Sequence, residues 1–146
     1  LPGEPRAVLA AQVDLSSLYG IEATVLFMAT HLDTQSAHRT ASIPLIEAAL
    51  AAHSRQPAIL AGDFNAVPES PVLAALGQTW TSTTADRELL TFPHEDHRQI
   101  DYILLRPAAR WRVVSVQVAD EKIASDHLPI FADLELLPDT AQIADT

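Results

Sequence analysis

The sequence has no cysteine, a single lysine (Lys122) and four glycines. The absence of cysteine excludes disulfides, zinc–thiolate sites and a thiol nucleophile, and leaves the compartment open. Positive charge is scarce: nine basic residues face nineteen acidic ones, a formal net charge of −10. That balance argues against a broad phosphate-tracking surface of the kind nucleic-acid binders use. No apolar run approaches the roughly 18–20 residues that a membrane span needs. There is no internal repeat, low-complexity tract or targeting signal. What is present suits a folded domain. Apolar residues make up 48% of the 146 positions and charged residues 19%, enough to bury a core in one domain.

The pattern predicts alternating strands and helices. Residues 6–15 and 21–31 read as strands joined by a turn around Ser16–Gly20, an antiparallel hairpin. Residues 35–53 read as a helix with Asp33 or Thr34 as its cap, and Pro44 inside it is expected to kink the helix or break it in two. Residues 58–65 form a short buried strand, so this helix fits a crossover between parallel strands. A short helix is expected from Ser70 to Leu76, stopping at Gly77, followed by a polar loop over 78–97. Strands follow at 98–105, 111–118 and 129–136, the second with a bulge near Val114–Ser115 where the apolar alternation changes register. Residues 138–146 read as a flexible tail. The fold class is α/β, with a mostly antiparallel mixed sheet and helices on one face.

Short polar residues cluster at strand ends. His31 follows VLFMAT, Asp63 and Asn65 end AILAG, Asp101 lies in QIDYILL, and Asp126 and His127 precede the last strand. A carboxylate in or at the tip of an apolar strand is costly unless paired, hydrogen-bonded or bound to a cation. Repetition of this pattern in one small domain points to a shared site. Each position also has a plain alternative. GDFN alone can be a strand-end turn, His31 a strand cap, Asp126 a turn cap, and Asp101 a salt-bridge partner of Arg98 or Arg106. Arg39 reads as part of a solvated helix face, HEDH (94–97) as a solvated loop, and Trp80 and Trp111 as packing residues. Residues 94–97 with Phe92 and Pro93 are expected to border the site and shape substrate choice.

THLD (30–33), AGDFNAVPESP (61–71), RQIDYIL (98–104) and ASDHLPIFADL (124–134) together resemble the sequential motifs of the endonuclease/exonuclease/phosphatase superfamily. The resemblance spans roughly residues 22–137, in order and with ordinary loop lengths. It implies a divalent-metal-dependent hydrolase of phosphoesters: a phosphatase, phosphodiesterase or nuclease-like enzyme. Asp63 and Asn65 would orient the attacking water and bind the scissile phosphate. His127 would be the catalytic imidazole, Asp101 the carboxylate that holds it, and Asp126 the acid near the metal. His31 would be a second imidazole, contacting the phosphate or leaving group. Mg²⁺ or Mn²⁺ suits such a carboxylate-rich, cysteine-free site. Either His127 or Asp63 can take the proton of the water.

The same resemblance implies a four-layer sandwich of two sheets with helices outside, of which this chain matches the C-terminal half. The superfamily's N-terminal half supplies an Asn-bearing strand and a metal-ligating Glu. Glu4, in a turn, and Glu22, in a hairpin strand, do not replace them. The chain is therefore expected to be inactive or weak without its N-terminal half, and to carry an uncovered apolar sheet face through which it can self-associate. The alternative is a non-catalytic, self-associating or partner-binding fragment that retains the motifs. The phosphoester substrate is not legible, and nucleic acid is disfavoured by charge.

Overall fold

In the computed structural model, residues 4–20, 22–94 and 98–139 are described. The chain begins with the expected hairpin: β1 (Val8–Asp14) pairs antiparallel with β2 (Thr24–His31), Val8 opposite Thr30 and Asp14 opposite Thr24. The connection holds one helical turn, α1 (Ser16–Tyr19). The Asp14 carboxylate accepts from the Ser16 hydroxyl at 2.7 Å and the Ser16 N–H at 2.9 Å. These bonds hold its pKa below the usual carboxylate value.

The crossover helix α2 (Ser36–Ala51) runs without interruption through Pro44. Proline removes one N–H and crowds the preceding turn. Here Ile43, Ile46 and Leu50, on both sides of Pro44, pack into one core and keep the helix whole. The cap also differs from expectation. Gln35 occupies the N-cap with no side-chain cap bond. Asp33 acts one step earlier, accepting from Gln35 N at 2.7 Å and pairing with His38 Nδ1 at 3.2 Å. Arg39 is half-buried, and its Nη1 donates to the carbonyls of Thr34 (2.6 Å) and Asp33 (3.2 Å), which ties the start of the helix to the segment after β2.

β3 (Ala58–Asp63) pairs parallel with β2, as the crossover requires. It leads through Ser70, whose hydroxyl caps the next helix, into α3 (Pro71–Leu76). The polar stretch beyond contributes a two-residue strand, β4 (Thr81–Ser82), which the composition did not reveal. β5 (Asp101–Arg106) pairs antiparallel with both β3 and β4, giving a five-stranded sheet of order β1-β2-β3-β5-β4. The chain then forms a second, two-stranded sheet, β6 (Trp111–Val118) with β7 (Ile130–Leu136). Its register shifts between Val113 and Ser115, where the bulge was expected. Residues 140–146, most of the expected tail, lie outside the described residues.

One face of the large sheet carries the core. Leu26, Met28, Leu60 and Leu104 pack there against Ile46 and Leu50 of α2, Val72 and Leu76 of α3, and Trp80. Trp80 is buried and donates from Nε1 to Glu47; Trp111 is half-buried and donates to the Arg106 carbonyl. The opposite face is also apolar. Phe27, Ile59, Ala61 and Ile103 line a trough there, with Ile130, Ala132 and Leu134 of β7 along its other side. Away from the β6–β7 sheet this face is open: Leu9 is 71% exposed and Phe27 41%. Among the described residues, no helix is long and apolar enough to cross a membrane.

Candidate active site

Strand register builds most of the site. His31 ends β2, Asp63 ends β3 and Asp101 begins β5; His31 lies opposite Asp63, and Asp63 opposite Asp101. The three form a row across adjacent strands, on the face away from the helices. His31 Nε2 lies 3.3 Å from Asp63 Oδ2. His127 arrives from the segment before β7. Its Nδ1 is 2.9 Å from Asp101 Oδ2, and its Nε2 faces Asp63 Oδ2 at 3.8 Å. Asp101 thus has the imidazole as its partner, whereas Arg106 lies 3.9 Å from Glu47.

Asn65 locks the end of β3. Its φ of 49° is left-handed, a conformation that Asn tolerates better than most residues. Its N–H donates to Asp63 Oδ1 at 2.7 Å, and its Nδ2 donates to the Leu32 carbonyl at 2.9 Å. Leu32 N in turn donates to the Asp63 carbonyl at 2.8 Å. These bonds aim one oxygen of Asp63 at Asn65 and leave the other between the two imidazoles.

The electrostatics follow from this crowding. Burial raises the Asp63 pKa above the usual carboxylate value; Asp101 adds to the rise, while the Asn65 N–H, His31 and His127 oppose it. At His127, burial favours the neutral ring, but it is outweighed by the Asp101 hydrogen bond and by the charges of Asp101, Asp63 and Asp126. The net effect raises the imidazole pKa above its ordinary value. The donor atoms of Asp63, Asp101 and His127 all lie within 4.8 Å of one another, a group that can hold a metal ion. Asp126 stands outside that group: it is solvent-exposed, and its carboxylate accepts from the Ser125 hydroxyl at 3.4 Å.

A family model described as the Endonuclease/Exonuclease/phosphatase family matches residues 25–127, an interval that contains every residue of this constellation. The chain belongs to the endonuclease/exonuclease/phosphatase family. Solved structures share the fold. An endonuclease/exonuclease/phosphatase from Bacteroides vulgatus is 25% identical, with a TM-score of 0.76, and is matched over 90% of this chain and 56% of its own. The human Nocturnin catalytic domain, solved with bound sulfate, is 19% identical, with a TM-score of 0.74 over 90% of this chain and 53% of its own. A mannosyl-6-phosphatase from Bacteroides thetaiotaomicron is 22% identical, with a TM-score of 0.64 over 80% and 53%. The chain therefore spans about half the length of these family structures. No curated protein sequence matches it.

Within the family frame, the structure brings His31, Asp63, Asn65, Asp101 and His127 together. It also adds Thr91, which no motif contains, gives Gln99 of RQIDYIL a buried position, and puts Phe92 beside the site as expected. Thr91 and Gln99 have no exposed surface, and the Phe92 ring lies edge-on to His127 with centroids 4.9 Å apart. Phe92 also contacts the ring of His94 at 4.6 Å. The rest of HEDH, residues 95–97, lies outside the described residues.

Proposed function

We propose that this chain carries the water-activating side of a divalent-metal-dependent phosphoester hydrolase. The observation that supports it best is the convergence of Asp63, Asp101 and His127 from separate chain segments on one family-matched site. With Nδ1–H of His127 donating to Asp101, the tautomer leaves a lone pair on Nε2, on the side facing Asp63. In the proposed reaction His127 Nε2 takes a proton from water, the water oxygen bonds to phosphorus, and the ester P–O bond breaks. Asp101 stabilises the imidazolium that forms. Asp63, steadied by Asn65, would orient the water, and His31, beside Asp63, would contact the phosphate or protonate the leaving oxygen. Mg²⁺ or Mn²⁺ would be held by the carboxylates of Asp63 and Asp101 and would act as a Lewis acid on the phosphate oxygens; Asp126, exposed and outside this group, would add negative charge nearby.

Mg²⁺ demands near-octahedral coordination. With His127 kept free as the base, the two convergent carboxylates supply only part of that set, which supports weak or no activity by the chain alone. The net charge of −10 favours small phosphoesters over polynucleotides. In the protein that carries this chain, His127→Ala and Asp63→Ala should each lower kcat by about 10²-fold or more with the fold intact. Near-wild-type turnover of phosphomonoester and diester probes by either variant would reject the assignment. The apolar face bearing Leu9 and Phe27 supports a second property, self-association of the isolated chain.

A further inference from the structure

We propose that Thr91, in the segment between β4 and β5, is a positioning residue that sets the Asp101 and His127 segments relative to one another. The geometry stands by itself; its catalytic consequence rests on the hydrolase reading above. Thr91 is fully buried. Its Oγ1 accepts from the N–H groups of Ile100 and Asp101, each at 3.1 Å. Its carbonyl accepts from Leu128 N, the peptide immediately after His127, at 2.7 Å. One residue thus holds the main chain on both sides of a hydrogen bond whose partners lie 26 positions apart in sequence.

The neighbouring residues reinforce the clamp. Phe92 exchanges main-chain hydrogen bonds with Arg98, at 3.0 and 3.2 Å, which closes the loop onto the start of β5. The edge-on Phe92 ring leaves the His127 imidazole between an aromatic wall and the Asp101 carboxylate. Beneath them, buried Gln99 accepts from Leu89 N at 2.8 Å and donates to the Thr84 hydroxyl (2.9 Å) and the Asp101 carbonyl (3.2 Å). A buried hydroxyl that accepts two main-chain N–H groups has no apolar substitute, because removing it leaves both donors unpaired. A shift of about 1 Å in a catalytic pair is enough to cost on the order of 100-fold in rate.

The test compares Thr91→Val, which keeps the shape and removes the acceptor, with Thr91→Ser, which keeps the acceptor. Both are made in the protein that carries this chain. Thr91→Val should lower kcat by about 10- to 100-fold with KM nearly unchanged, while Thr91→Ser stays within about threefold of wild type. In parallel, the downfield proton resonance of His127 Nδ1–H should broaden or move in Thr91→Val and persist in Thr91→Ser. Where Thr91→Val does not fold, Thr91→Cys, a weak acceptor of similar size, takes its place and should fall below Thr91→Ser in both readouts. Wild-type kcat with an undisturbed resonance in Thr91→Val or Thr91→Cys overturns the proposal. Full activity of His127→Ala overturns the hydrolase reading instead; the resonance, which needs no turnover, still decides the role of Thr91.

Discussion

Asp63 sits in a crowded and partly desolvated group of charges. Burial raises its pKa, and Asp101, directly opposite across an antiparallel pair, adds to the rise because like charges repel. A carboxylate whose folded pKa lies above the ordinary 3.8 loses stability for the fold as pH rises through that interval and remains a burden at neutral pH. In the metal-free protein, Asp63→Asn should therefore raise Tm, by about 2–4 °C, while removing activity. Adding Mg²⁺ should raise Tm for wild type more than for the variant, which calorimetry can read. His127 works in the opposite sense. With its pKa above the ordinary 6.5, the protonated ring stabilises the metal-free fold fully below pH 6.5, and this contribution fades as pH rises through the folded value. These residues were legible because short acids and imidazoles at strand tips stand out against apolar runs. Thr91 was not, because a threonine in a polar loop usually faces water, and only the folded chain shows it buried; Gln99 lay inside RQIDYIL, but its burial is likewise seen only in the fold.

At the scale of elements, the strand pairing depends on Gly62. Its φ of +147° is one that side chains rarely adopt, and a Cβ built there would lie 1.8 Å from the Thr30 carbonyl oxygen. Gly62→Ala should therefore destabilise the protein by at least about 2–3 kcal/mol, seen as a lower urea midpoint, and loosen the approach of His31 to Asp63. Period-two alternation and turn residues were enough to place the long strands, the crossover and the bulge. Local reading failed where tertiary packing decides. Pro44 sits in a whole helix because residues on both sides of it share one core, and β4 is only two residues long, too short to leave a pattern.

For the whole molecule, the asymmetry of the large sheet matters most. Its helix-side face is buried along β2, β3 and β5, whereas on the other face Leu9 and Phe27 remain exposed. Exposed apolar surface of this kind drives association. Sedimentation of the isolated chain should show concentration-dependent oligomers, and Leu9→Glu with Phe27→Glu should shift it toward monomer; a wild-type monomer at all concentrations would reject this. The row of His31, Asp63 and Asp101 across neighbouring strands has a further consequence. Main-chain hydrogen bonds hold adjacent strands roughly 4.8 Å apart, so the sheet acts as a ruler for the reacting groups. Its spacing can change only by a whole strand or a register slip, both of which dismantle the fold. The gap between the carboxylates is therefore inherited from the backbone, and the surrounding loops can diverge without recalibrating it.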